Sequence, residues 1–255
     1  MELLDPTAKL TIFWLILVDC AGVETDMSNL LFEPPLRFEG LPAEGFRVFA
    51  IQDREERRRA IIDAFHPALH ELAEDLLERL GPSAAAPLHA HLPRLDWPRG
   101  YQPFGTWLAL SREVQGYQAG PQLNVGIHAD HVALRLGWDT AAATFGRFEF
   151  LARHGGIGEE MARLAAEENL RFRVYAAQPW PQGSRKVYES ATDWKSAFAE
   201  VSRRGVWFEL GERREIPEEL SWAGSPALGK DACRILKALL PLYDRLAGHA
   251  EKDGS

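Results

Sequence analysis

Polar, aromatic and cationic side chains recur at every second position through residues 105–138, GTWLALSREVQGYQAGPQLNVGIHADHVALRLGW. Successive side chains of an extended strand point to opposite faces, so this spacing gathers them on one surface. That surface carries Trp107, Ser111, Gln122, Asn124, Gly126, His128, His131 and Arg135. It combines an aromatic plate, amide groups, a permanent cation and a glycine over which another group can pass closely. Binding sites are commonly built from an apolar wall and a few convergent polar groups. Arg112, at the end of the first strand, is a candidate second cation, and Tyr117 lies in the turn that follows. The candidate ligand-binding set is therefore Trp107, Arg112, Tyr117, Asn124 and Arg135. Guanidinium pairs bidentately with carboxylate or phosphate, so a small anion, or an anionic group of a partner, is the natural ligand.

His128 and His131 are the candidate catalytic residues, because imidazole exchanges protons near neutral pH. With Arg112 and Arg135 holding phosphate, they suit an enzyme acting on a phosphate ester or nucleotide. A solvated sheet surface explains Gln122, His131 and Arg135 equally simply, but fits Trp107 and Gly126 less easily. His128-Ala-Asp130-His131 contains ligand types for zinc or iron. Side chains at a strand turn diverge, however, and a third ligand from His89, His91 or His154 cannot be placed. No metal and no cofactor are expected. There is no G-x-S-x-G elbow, and Gly155-Gly156-Ile157-Gly158 lacks the G-K-[ST] ending of a phosphate loop.

The opposite parity of the same stretch collects Leu108, Leu110, Leu123, Val125, Ile127, Val132, Leu134 and Leu136. Burying each is worth about 1.5–3 kcal/mol, so helices are expected over that face. Three alternating runs, Phe104–Ser111, Gln122–His128 and His131–Asp139, form an antiparallel meander. Before it, Phe46–Ile51 (FRVFAI) reads as a strand. Asp53 with Glu56 forms a capping box that opens a helix with Ile61, Ile62, Phe65, Leu69, Leu72, Leu76 and Leu80 inward. Pro67 should break or kink that helix, and Gly81-Pro82 should end it. Leu88–Pro103 reads as irregular.

After the meander, helices are expected at Thr144–His154, Gly158–Asn169 and Ala191–Arg204, and short strands at Phe172–Ala176 and Val206–Leu210. Ser225 caps a last helix, with Pro226 in its first turn and Pro241 as a kink. This order of elements gives an α+β fold: an antiparallel sheet meander with helices packed mainly on one face.

With 255 residues, 46% apolar and 26% charged, the chain can bury a sizeable core. Its net charge of −8 weighs against a long nucleic acid or an anionic membrane as partner. Cys20 and Cys233 form no CxxC pair, and a reducing cytoplasm suits them. Leu10–Val18 is apolar but too short to span a bilayer. An oligomeric interaction protein, burying Trp180 and Trp222 at its interface, is a third class of function.

The chain also resembles the YktB-like family of uncharacterised bacterial proteins, across roughly Glu44 to Leu246. Phe46, Val48, Phe49 and Ile51 match its F-x-V-F-x-I start, and Pro67, Leu69 and Leu72 its first helix. Residues 105–110 match its D-T-W-V-A-F strand, residues 121–127 its P-x-F-x-I-G-L strand, and His131-Val132 its next strand opening. Leu239, Pro241, Leu242 and Tyr243 match a terminal L-x-P-L-Y. Gln115 and Gln118 replace both cations of its R-G-Y-K turn, leaving Gly116 and Tyr117. The resemblance implies an α+β fold and a cytoplasmic protein, and no activity. It also suggests residues 1–43 as an N-terminal extension, with Met27 a possible true start. The alternative is that residues 1–26 add a strand or short helix. Residues 44–248 would then be one domain and 249–255 a disordered tail.

Overall fold

The structure, a computed structural model, describes residues 34–96, 102–114, 116–142, 144–175, 185–188, 193–204 and 207–248. The expectations for Leu10–Val18, Met27, Trp180 and the C-terminal tail concern residues outside them. From Leu36 onward the described residues fold as one compact unit.

Its centre is one antiparallel sheet of seven strands. In chain order these are β1 (His89–His91), β2 (Gly105–Ser111), β3 (Gln122–His128), β4 (His131–Asp139), β5 (Arg171–Tyr175), β6 (Arg185–Tyr188) and β7 (Trp207–Glu215). Their spatial order is β1-β2-β3-β4-β7-β5-β6. The expected meander is present, with β3 and β4 at the expected residues. The sheet extends beyond it because β7 returns to pair with β4, and β5 adds outside β7.

Six α-helices are described: α1 (Arg54–Leu80), α2 (Phe145–His154), α3 (Ile157–Glu167), α4 (Trp194–Arg204), α5 (Leu220–Ala223) and α6 (Pro226–Leu246). α1 packs on β2, and α6 on β3 and β4. One apolar cluster joins Ile61, Phe65 and Leu72 of α1 to Leu108, Val125 and Leu134 of the sheet and to Ile235 and Leu239 of α6. The side chains of alternate parity in β2–β4 are thus buried under helices, as their spacing requires.

The capping signals form as expected. The Asp53 carboxylate accepts from the Glu56 N–H at 2.8 Å, and Ser225 Oγ accepts from the Ala227 N–H at 3.3 Å. Pro67 and Pro241 do not break their helices, which run unbroken past them. Each proline removes one backbone donor, and the long buried faces of α1 and α6 outweigh that loss.

The segment Phe46–Ile51 is a correction: Ala43–Ala50 is a 3-10 helix, not a strand. With three residues per turn, Phe46 and Phe49 fall on one side, and both rings pack on Phe65 with centroids 5.3 and 5.8 Å away. Tertiary packing therefore overrides the local strand preference of FRVFAI. Two strands were not anticipated, β1 within the irregular stretch and β6. β7 continues five residues past Leu210.

Candidate functional site: a buried polar sheet face

The face opposite the helices is not solvated. Asn124 and Arg135 are each 2% exposed, His128 and Glu209 1%, and His131 3%. The reading of this face as an open, wet surface is therefore wrong. A buried charge is tolerable only when paired and hydrogen-bonded, and the sheet register shows how these are arranged. Ala109, Asn124, Arg135, Gly211 and Arg171 form one cross-strand row. Gln122, Gly137, Glu209 and Arg173 form the next.

Arg135 is the hub. Its Nη1 donates to Glu209 Oε2 at 2.7 Å, and its Nε donates to Asn124 Oδ1 at 3.1 Å. Asn124 Nδ2 donates in turn to Gln122 Oε1 at 3.1 Å. The Glu209 carboxylate also accepts from the Trp207 indole N–H at 3.1 Å and from the Tyr175 hydroxyl at 3.4 Å. Arg173 stands 3.8 Å from Glu209 Oε1 and donates to the Gly211 carbonyl at 3.1 Å. Burial would raise the Glu209 carboxyl, but Arg135 and Arg173 outweigh it and hold it below the usual range. The same burial, with the Glu209 charge, pushes the Tyr175 hydroxyl well up, so it stays a donor.

Glycine lets these groups lie flat on the sheet. A Cβ on Gly137 would stand 2.2 Å from the Trp207 ring. A Cβ on Gly126 would stand 2.9 Å from Arg135 Nη2, 3.2 Å from His128 Nε2 and 3.3 Å from Asn124 Oδ1.

At the other end of the face, His128 and His131 stack with ring centroids 4.2 Å apart, and Phe104 stacks on His128 at 5.9 Å. His131 Nδ1 lies 2.6 Å from Asp130 Oδ1, and Arg213 Nη2 donates to Asp130 Oδ2 at 3.2 Å. Burial is the main force lowering His128 well below the ordinary imidazole value, with His131, Arg135 and Arg213 adding to it. Burial also lowers His131, against the opposing pull of its bond to Asp130. Both rings are therefore neutral at pH 7. That hydrogen bond is the main force bringing the Asp130 carboxyl down to about 2, with the Arg213 charge adding to it.

Trp107, Tyr117, Asn124, Arg135, His128 and His131 are all brought to this face. Tyr117 folds back so that its ring meets Trp107 edge-on at 6.2 Å and His91 at 5.8 Å. Arg112 is not brought there. It pairs with Asp244 of α6 at 2.5 Å, its backbone N–H donates to the Tyr243 hydroxyl at 2.8 Å, and its guanidinium sits over the Tyr243 ring. It lies on the helix-covered side, with the parity of Leu108 and Leu110. The second and third cations of the polar face are instead Arg173 and Arg213, which the sequence reading missed together with Glu209, Trp207 and Tyr175. Among the described residues, no three His, Cys, Asp or Glu side chains converge as a metal cage. Trp222 is buried within its own chain, where its indole N–H donates to Asp231 at 2.9 Å and Arg214 stacks on it.

The class defined so far is an α+β protein whose antiparallel sheet has helices on one face and an interior polar network on the other. Residues 42–142 match the family model described as "Domain of unknown function (DUF1054)". The chain is 30% identical over 97 residues to a UPF0637 protein of Oceanobacillus iheyensis, covering 38% of this chain and 47% of that one. It is 31% identical over 91 residues to a UPF0637 protein of Enterococcus faecalis, covering 36% and 45%. A UPF0637 protein of Leuconostoc citreum is 29% identical over 130 residues, covering 50% and 63%. The chain spans about half the length of the first of these curated relatives. The matched segment is similar to an uncharacterised bacterial family's domain, in agreement with the YktB-like resemblance. It runs from the 3-10 helix through β4, so it supplies Trp107, Asn124, His128, His131 and Arg135, whereas Arg173, Glu209 and Arg213 lie beyond it. No helix among the described residues is long and apolar enough to cross a membrane.

Proposed function

We propose that the protein binds a small anionic ligand, or an anionic group of a partner, on the polar sheet face around Trp107, Asn124 and Arg135. One observation carries this reading. Arg135 and Arg173 share an interior face on which, among the described residues, Glu209 is the one buried carboxylate, while Arg213 at its edge is paired with Asp130 and Glu215. The two interior guanidiniums outnumber that one interior charge, and a low-dielectric setting strengthens their pull on an anion. Trp107 and Tyr117 supply an aromatic wall beside them.

The test is calorimetric titration of the full chain with inorganic phosphate, mononucleotides and small organic acids. It is repeated on Arg135→Ala and, to keep the interior charge balanced, on Arg135→Met/Glu209→Gln. Saturable binding weakened at least about tenfold in both variants supports the reading, since a charge-assisted hydrogen bond contributes on that scale. Equal binding by all three proteins, or none by any, removes it.

A second reading is favoured by the Asp130–His131 contact. A carboxylate fixed on one imidazole nitrogen is the orienting half of a general acid/base pair. On this reading the protein acts on a phosphate ester or nucleotide, with His131 as base and Arg213, rather than Arg112, beside Arg135. A hydrolase screen with and without divalent metal, repeated on His131→Ala, separates catalysis from binding. Turnover undiminished in the variant excludes His131 from catalysis.

A further inference from the structure

Helix α2 turns a cationic and aromatic face outward. Phe145, Phe148 and Ala152 form its buried stripe, and the rings of Phe148 and Phe145 meet Trp138 with centroids 5.2 and 6.1 Å away. Trp138 shares the parity of Leu134 and Leu136, so α2 lies on the helix side of the sheet, away from the polar face. At the helical period, Arg147, Phe150, Arg153 and His154 fall on the side opposite the buried stripe, and all four are exposed. Phe150 is 63% exposed and, with Val114, is one of two large apolar side chains so placed among the described residues. Its ring lies 5.3 Å from that of His154, one turn further on. The cations beside it are not neutralised. Elsewhere on the surface Arg47 pairs with Glu44, Arg163 with Glu167 and Arg234 with Glu168. Arg147 instead donates to the Arg245 carbonyl at 3.4 Å, Arg153 lies over the Phe198 ring, and neither pairs with a carboxylate among the described residues. Glu149, the one carboxylate on α2, is half-buried on its flank.

We infer that this face of α2 docks an acidic segment of a partner protein, one in which carboxylates flank a large apolar side chain. The apolar side chain covers Phe150, and the carboxylates take the guanidiniums of Arg147 and Arg153, which stand about 9 Å apart along the helix axis. Charge complementarity selects the acid, and the exposed ring selects the apolar residue. A membrane fits less well. An interfacial helix lays a whole apolar face into the bilayer, whereas the apolar stripe of α2 is spent on the core and one ring is left outside. The net charge of −8 also opposes an extended anionic surface or a long polyanion, while a short segment meets the patch alone. This docking face is independent of anion binding on the polar sheet face.

The experiment pans a random-peptide library, displayed on phage, against the full chain and titrates the enriched peptides by fluorescence anisotropy. Sequences with Asp or Glu on both sides of a large apolar residue are expected. Their binding should weaken at least about tenfold in Phe150→Ala, as loss of an anchoring aromatic does. It should weaken further in Arg147→Glu/Arg153→Glu, where attraction becomes repulsion, and fall with added salt. The three altered side chains are exposed, so both variants are expected to keep the wild-type melting curve. Failure of the library to enrich, enrichment of sequences without acidic residues, or acidic peptides that bind both variants as tightly as wild type overturns the proposal. The same proteins are tested on phosphatidylglycerol–phosphatidylcholine vesicles and on polyuridylate, and for self-association by sedimentation. Phe150-dependent binding to vesicles or polyuridylate without acidic peptide binding, or a Phe150-dependent dimer, assigns the face to a membrane, an RNA or a second copy and overturns the acidic segment as its partner.

Discussion

Removing one partner of the Arg135–Glu209 pair should cost far more than removing both. The pair is fully interior and its atoms lie 2.7 Å apart. In Arg135→Met, Glu209 keeps the Trp207 and Tyr175 donors but loses its closest counter-charge, and Arg173 remains only at 3.8 Å. Breaking a buried pair in this way costs about 3–5 kcal/mol. For a domain of this size about 1 kcal/mol lowers the melting temperature by roughly 2–4 °C, so the expected loss is about 6–20 °C. Glu209→Gln preserves shape and one acceptor oxygen but strands the Arg135 charge, and should cost a similar amount. In Arg135→Met/Glu209→Gln no uncompensated charge remains from the pair, and most of the loss should return. The assay is a double-mutant cycle by urea denaturation, supported by thermal melts at pH 7. A coupling energy of about 2 kcal/mol or more is expected, at the upper part of the range for contacting residues. Single variants that each cost under about 1 kcal/mol, with strictly additive effects, would refute the account of this face as an interior charge network.

Three further outcomes follow from the same geometry. Gly137→Ala should displace the Trp207 ring from its place beside Glu209, costing about 1–3 kcal/mol as overpacking does and changing indole fluorescence; an unchanged spectrum and melt would contradict the packing described. Acid should destabilise the fold in two steps. His128 and His131 have folded values below the ordinary imidazole value of 6.5, so their contribution is complete above 6.5 and is lost as pH falls from 6.5 toward the folded values. Asp130, at about 2 against 3.8, adds a second loss as pH falls from about 4 toward 2. The unfolding free energy, measured by urea denaturation from pH 7.5 to 5, should therefore fall with a slope of up to about 1.4 kcal/mol per pH unit for each histidine, and His128→Phe, which can keep the ring stack, should flatten that slope. Asp53→Ala should cost about 1 kcal/mol through loss of the α1 cap, measured by the same denaturation assay.

How much of this was legible in the sequence depends on how local the signal was. The meander was readable because its strands alternate cleanly and because its apolar parity has helices to match. Asp53 and Ser225 were readable as caps because the capping bond spans only two or three residues. Phe46–Ile51 was not, because what decides its conformation is Phe65, an α1 residue distant in the chain. Half of the polar face escaped notice for a related reason. Trp207, Glu209, Gly211 and Arg213 alternate with Phe208 and Leu210, and Arg171, Arg173 and Tyr175 alternate with Phe172 and Val174. The pattern was present, but nothing local says that these strands join the meander at β4. Reading only the apolar run also stopped β7 at Leu210. Arg112 could have been placed correctly from parity alone, since it falls two residues after Leu110. That the polar face is buried has no signature in its own residues, because the same alternation serves a solvated sheet.

The most direct test of the central claim is a chemical-shift map of the isotope-labelled protein titrated with inorganic phosphate. The account predicts saturable shifts of the Trp107 and Trp207 indole N–H signals and of the Gly126 amide, with the Arg135 side-chain Nε–H moving in step. The apolar cavity of about 520 Å³ lined by Leu77, Gly81 and residues 84–88 serves as an internal control that should not respond. Shifts confined to that cavity or to the surface, with the polar-face signals unmoved at saturation, would contradict it.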